Sequence, residues 1–205
     1  MPKIVDHAER RHTIARAALE VVASGGMSEL TLQAVAVAAG CSTGMVNHYF
    51  SNKHSLIVAA AKEACKRFHD GFFTRPLPAG QGPQQLVQLL LAMLPVTDPE
   101  QPAHRVFVHL YSEGMNDPVV ADIARTYLDD ARGHIEAVLQ QGQLEGWVRP
   151  DVDLARTSRV LASAVDGLGI WSLLNGNADE QPPLEQHVDV ILDLVATVTA
   201  ASTRT

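Results

Sequence analysis

Apolar residues recur every three or four positions along most of the chain and do not settle into two-residue alternation. That spacing predicts helices and no sheet. Ile14, Ala17, Ala18, Val21 and Val22 mark the stripe of a first helix. It starts at Asp6, with Glu9 three residues on as a capping-box partner, and stops at Gly25 and Gly26. Thr31 fits the N-cap of a short second helix over 32–39, ended by Gly40. Ser42 caps a third helix reaching Tyr49, and Asn52 caps a longer fourth running through Leu56, Val58, Ala59, Ala61 and Cys65 towards Phe72.

Residues 75–83 contain Pro76, Pro78, Gly80, Gly82 and Pro83, which reads as a loop and a boundary. A helix over 84–94 follows, then a break at Pro95, Pro99 and Pro102, and a helix over 104–113. Asn116, Asp117 and Pro118 open the next helix with proline at its first position. There Val120, Ile123, Tyr127, Ala131, Ile135 and Val138 advance by three or four, giving one long amphipathic helix.

The last two helices, over 153–175 and 184–201, are apolar on more than one side. Val160, Leu161, Ala164, Val165, Leu168 and Trp171 exceed a narrow stripe, as do Val188, Val190, Ile191, Leu192, Leu194, Val195 and Val198. Such helices bury two faces. Ala162, Ser163, Gly167 and Gly169 leave room for a close partner, so the pair is expected to form a subunit interface; a two-layered monomer core is the alternative.

The 30–50 stretch has the layout of a helix-turn-helix. Leu32, Val35 and Ala36 pack the short helix, Gly40 permits the tight turn, and Val46 and Phe50 pack the next helix. Thr43, Met45, Asn47 and His48 are left facing outward, where the second helix can lie in a major groove.

Charge bears on that reading. The chain has 205 residues and a net charge of −7, an unpromising sign for a DNA binder. Yet residues 1–67 carry 8 basic against 5 acidic groups, a net +3, and the remaining 138 carry 8 against 18, a net −10. One end can approach phosphate while the other repels it. At 46% apolar and 19% charged, the composition excludes wholesale disorder. No apolar run approaches the ~18–20 residues that span a bilayer. The charged stretch 1–16 is not expected to act as a secretory signal. Cys41 and Cys65 make no disulfide framework or metal pattern, so a cytoplasmic location is expected.

From Thr31 to Lys53, ending in His48-Tyr49-Phe50-Ser51-Asn52-Lys53-His54-Ser55-Leu56, the chain closely resembles the DNA-binding domain of TetR-family repressors. The stretch from Asp166 to Leu174 resembles, more weakly, the corresponding helix of BetI-like members, a group whose named example senses choline. The resemblance implies an all-α fold. Residues 1–52 would form a three-helix helix-turn-helix DNA-binding domain, joined by a long helix to a helical ligand-binding and dimerisation domain, 53–205. It places Thr31 and Gln33 near the groove or its phosphates, Thr43, Met45, Asn47 and His48 at bases or nearby phosphates, and Tyr49 and Lys53 on phosphate. Asn47 can pair with adenine and a Met45 or Thr43 methyl can meet thymine. The reading helix carries no arginine, so specificity leans on DNA shape. Lys3, Arg10 and Arg11 either add phosphate contacts or form a solvated face, and His48 either contacts DNA or caps its helix.

The family typically encloses an inducer in its larger domain. Phe107, Tyr111, Glu113, Trp147, Asp166 and Trp171 are the candidate lining residues, suited to a small, mainly hydrophobic ligand. Tyr111 and Trp171 near an acid also suit a quaternary ammonium group. The expected partners are double-stranded operator DNA, a small-molecule inducer and a second copy of the chain; no membrane, cofactor, metal or catalytic residue is expected. The chain lacks a phosphate-cradling glycine loop, a Gly-x-Ser-x-Gly elbow and a His-Glu-x-x-His pair, and His104 and His109 diverge by over a third of a turn. The function expected is a repressor released from a palindromic operator by an inducer, with activation as the alternative.

Overall fold

A computed structural model of the chain describes residues 7–70, 82–94, 102–174 and 184–199. Among the described residues the order is α1 (His7–Glu29), α2 (Leu32–Ala38), α3 (Thr43–Tyr49), α4 (Lys53–Phe68), α5 (Pro83–Ala92), α6 (Pro102–Gly114), α7 (Pro118–Glu145), α8 (Leu154–Leu174) and α9 (Leu184–Ala196). Each is a helix that the apolar spacing predicts, with ends moved by a few residues. The expected cap at Asp6 and most of the expected loop, 75–81, lie outside the described residues. The chain forms two compact units, residues 1–69 with 101–126, and residues 70–100 with 127–205. These cut the chain by packing, whereas the expected division at 52/53 is one of function.

In the first unit α1 packs on α2, α4 and α6, α4 packs on α6, and α2 packs on α3. Ile14, Ala18, Leu19 and Val22 of α1, Val35 and Ala36 of α2, Val46 of α3, and Leu56, Ala60, Ala61 and Ala64 of α4 are buried. Burying each large aliphatic side chain contributes about 1.5–3 kcal/mol, while the alanines let the helix axes approach. Helix α1 breaks at Gly26, whose φ of 76° and ψ of −177° suit only glycine. The chain then turns to bury Leu30.

Three side-chain caps start the next helices where the sequence predicts them. The Ala34 N–H donates to Thr31 Oγ1 at 3.0 Å, and the Met45 N–H to Ser42 Oγ at 3.2 Å. The Ser55 N–H donates to Asn52 Oδ1 at 2.8 Å, and the Asn52 N–H returns a bond to Ser55 Oγ, completing a capping box.

The second unit has its own core. Leu86 and Leu90 of α5, Ile135 and Leu139 of α7, Leu161 and Val165 of α8, and Ile191 and Val195 of α9 close it. An isolated antiparallel bridge pairs Val148 with Thr199, and the Arg149 N–H donates to the Val198 carbonyl at 3.0 Å. Ser172 Oγ and His187 Nε2, both buried, lie 2.7 Å apart and join α8 to α9. Not all apolar groups are covered: Val160, Trp171 and Leu174 of α8 and Val190 and Leu192 of α9 are exposed.

Candidate nucleic-acid interface

Two short helices and the turn between them build the surface. At the end of α2 the Ala39, Gly40 and Cys41 N–H groups donate to the carbonyls of Val35, Val37 and Ala36 at 2.8, 3.1 and 2.9 Å. Gly40 sits at φ 60°, the left-handed conformation that ends a helix tightly, and Ser42 starts α3 at once. Val46 and Phe50 turn inward and are buried, which fixes the rotation of α3 about its axis. Thr43, Met45, Asn47 and His48 are therefore exposed, as is Gln33 on α2. A helix with side chains is about 10–12 Å across, and the major groove is about 12 Å wide.

Helix α1 braces the far end of α3. Arg11 Nη1 donates to the Tyr49 carbonyl at 2.8 Å, and its guanidinium lies 4.4 Å from the centroid of the Phe50 ring. A cation at a helix C-terminus satisfies a carbonyl without an intrahelical partner and opposes the negative end of the helix dipole. His7 Nδ1 lies 2.9 Å from the Tyr49 hydroxyl, and the His48 ring meets the Tyr49 ring edge-on at 5.0 Å. Lys53 donates from Nζ to the Met27 carbonyl at 3.0 Å, leaving two of its three N–H donors for other acceptors. The Thr31 hydroxyl oxygen is engaged as a cap, and its proton is a further donor.

A second layer of polar contacts ties α1, α4 and the start of α7 together. Glu63 of α4 is only 6% exposed; its carboxylate reaches His12 Nδ1 at 3.2 Å and Arg67 Nε at 3.5 Å, and Arg67 Nη1 reaches Glu20 at 2.8 Å. His54 Nδ1 lies 2.9 Å from Asp117 Oδ2, while Asp117 Oδ1 accepts the Val119 N–H at the start of α7. One carboxylate thus caps α7 and holds α4.

The structure places the six expected ligand-lining residues in two groups. Phe107, Tyr111 and Glu113 share α6 in the first unit; the buried Phe107 ring meets Phe68 edge-on at 4.7 Å and lies 6.4 Å from Tyr111. Trp147, Asp166 and Trp171 belong to the second unit. The Trp147 indole N–H donates to Glu145 at 3.0 Å, Asp166 is half-buried, and Trp171 is 65% exposed. Among the described residues no group of three His, Cys, Asp or Glu side chains is placed to hold a metal, and no helix is long and apolar enough to cross a membrane.

Sequence reasoning missed the roles of His7, Arg11, His54 and Glu63. The partners of His7, Arg11 and His54 are remote in the chain, 42 residues away for His7 and 38 for Arg11, and periodicity carries no signal for such pairs.

Comparison with known proteins agrees with this layout. The family described as "Bacterial regulatory proteins, tetR family" matches residues 14–60, and that described as "BetI-type transcriptional repressor, C-terminal" matches residues 83–200. The HTH-type transcriptional regulator BetI of Escherichia coli (strain SMS-3-5 / SECEC) is 26% identical over 190 residues, covering 89% of this chain and 91% of that one. A TetR transcription regulator from Haloarcula marismortui superposes with a TM-score of 0.80 at 21% identity, covering 94% of this chain and all of that one. A transcriptional regulator from Saccharomonospora viridis, solved in complex with choline, gives a TM-score of 0.76 at 21% identity, covering 95% of this chain and 100% of that one.

Proposed function

The chain belongs to the TetR family of transcriptional regulators, and from that premise we propose that it is a homodimeric repressor that leaves a palindromic operator when a small molecule binds. The observation that carries the reading is the outward row Thr43, Met45, Asn47 and His48 on a helix whose other side is locked by Val46 and Phe50. In this proposal residues 1–52, with Lys53 at the first position of α4, bind DNA. Asn47 and Met45 read base edges, with Gln33 beside them, while Thr31, Tyr49, His48 and Lys53 engage the backbone. The BetI-type repressor description over 83–200 favours repression over activation.

Residues 53–205 carry ligand and dimer functions in the same proposal. The Phe68, Phe107 and Tyr111 rings with Glu113 nearby in α6 suit a ligand that is apolar or carries a quaternary ammonium group, and the choline complex of the Saccharomonospora viridis regulator supports the second choice. Trp147 and Asp166 are separate candidates within the second unit. Trp171, with Leu174 and Val160, leaves an apolar face on α8 that a second copy would cover. Dimerisation would set two reading heads about 34 Å apart, one helical turn of DNA. We place the protein in the cytoplasm, beside the DNA.

Release is a population shift: the ligand favours whichever state separates the heads wrongly, by its difference in affinity for the two. The His54–Asp117 contact supports α4 as the element that moves, because it ties the start of α4 to the start of α7. The test is a reporter driven by the DNA upstream of the protein's own gene. Deleting the gene should raise expression and restoring it should silence the reporter. Unchanged expression, or a fall on deletion, contradicts repression.

A further inference from the structure

His7 stands on the first turn of α1, remote in sequence from the reading helix, yet its Nδ1 lies 2.9 Å from the Tyr49 hydroxyl. Its ring is 5.9 Å from that of Tyr49 and 6.4 Å from that of His48, so two imidazoles and a phenol cluster at the end of α3. His7 and His48 are exposed, and the Tyr49 ring is half-buried between them. Arg11 from the same turn region fixes the Tyr49 backbone through its carbonyl. Helix α1 thus holds both the main chain and the hydroxyl of one residue. We propose that His7 is a positioning residue that aims the Tyr49 hydroxyl at a DNA phosphate and makes operator affinity depend on pH; the inference rests on the DNA-binding reading above.

The reasoning follows the single phenolic proton. When His7 Nδ1 is unprotonated it can only accept, so the Tyr49 O–H donates to it. The hydroxyl then offers only lone pairs outward, and a phosphate oxygen, itself only an acceptor, cannot bond to it. When Nδ1 carries a proton, His7 donates to the phenolic oxygen, and the Tyr49 O–H is released to donate to phosphate. The imidazolium form guarantees that arrangement and adds a positive charge beside the backbone. A proton on Nδ1 and a phosphate at the Tyr49 hydroxyl therefore favour one another, and by linkage binding tightens as pH falls.

The other ionisable groups around His7 do not cancel the effect. From α3 it meets Tyr49 and His48, and protonating His48 adds charge of the same sign. Along the sequence Asp6 precedes it and Glu9, Arg10 and Arg11 follow, two acids balanced by two bases. The acid that α4 brings to this helix, Glu63, engages His12 farther along.

The experiment measures binding by fluorescence anisotropy from pH 8 to pH 6 at constant ionic strength. The probes are a labelled duplex from upstream of the protein's own gene and an unrelated duplex of equal length. Wild type should tighten on the upstream duplex as pH falls, by roughly three- to tenfold over the range for one linked proton. His7→Asn, which keeps a neutral donor near the Nδ1 position at every pH, should bind more tightly than wild type at pH 8 and lose the tightening as pH falls. His7→Ala should weaken binding at pH 6 by about two- to tenfold, the range for one hydrogen bond, with little effect at pH 8, and should cost little more at pH 6 once Tyr49→Phe is present. Tightening that survives in His7→Asn but vanishes in His48→Gln overturns the proposal, as do His7→Ala and Tyr49→Phe effects that simply add. A wild type that binds neither duplex at any pH overturns the DNA-binding reading itself.

Discussion

The ammonium of Lys53, at the first position of α4, donates to the carbonyl oxygen of Met27 at 3.0 Å, at the end of α1. A residue expected to grip phosphate is thus also a tie between two helices that carry the reading head. The two roles are compatible because an ammonium has three donors. They predict different consequences when it is replaced.

Lys53→Gln removes one phosphate charge and can keep a donor to Met27. The slope of log affinity against log salt should become shallower by about one, and affinity should drop alike for operator and unrelated duplexes. Lys53→Arg should keep the slope. A salt titration of both variants checks this, and an unchanged slope in Lys53→Gln removes Lys53 from the backbone contacts.

Helices α2, α3 and α4 each start on a side-chain cap, so the caps should be felt in stability. Thr31→Ala and Ser42→Ala should each cost about 1 kcal/mol. Asn52→Ala should cost more, because it also strands the Ser55 half of a reciprocal box. Urea melts followed by circular dichroism give the ranking.

Glu63 lies buried between His12 and Arg67, whereas Glu20 at the outer end of the same chain of contacts is exposed. Removing the buried acid leaves His12 without its partner and Arg67 with Glu20 alone; Glu63→Ala is expected to destabilise by about 1.5–3 kcal/mol. Glu20→Ala should cost under about 1 kcal/mol, as surface pairs do. Equal losses in denaturant melts would mean that burial of Glu63 adds nothing.

The exposed apolar face of α8 predicts assembly. Trp171 and Leu174 are 65% and 75% exposed in the single chain, more than isolated surface residues explain. Trp171→Glu together with Leu174→Glu should shift sedimentation from dimer to monomer at micromolar protein and weaken operator binding by a hundredfold or more, while circular dichroism stays helical. A variant that stays dimeric places the interface elsewhere.

Much of the fold is legible because each helix announces itself locally. Thr31, Ser42 and Asn52 are cap residues directly before apolar stripes, and all three accept the N–H three residues on. Gly40 needs its left-handed angle wherever a helix must end and another begin at once. The outward row on α3 follows from Val46 and Phe50 alone. What the sequence hides is pairwise and remote: nothing near Arg11 marks the Tyr49 carbonyl as its acceptor, and nothing near His54 marks Asp117. Glu63 is hidden for a different reason, since a glutamate in a helix is ordinarily solvated, and only packing of α1 against α4 buries it. The expected ligand-lining residues are less legible still, because aromatic side chains at helical spacing serve a core and a pocket equally well.

Footprinting of the DNA upstream of the gene, with wild type and Asn47→Ala side by side, tests the central claim most directly. Wild type should protect one palindromic site, and Asn47→Ala should lose about 1–3 kcal/mol of preference at one base pair in each half while keeping its hold on unrelated duplex. Protection indistinguishable between the two proteins, or none above that of unrelated DNA, would contradict the assignment of α3 as the helix that reads the operator.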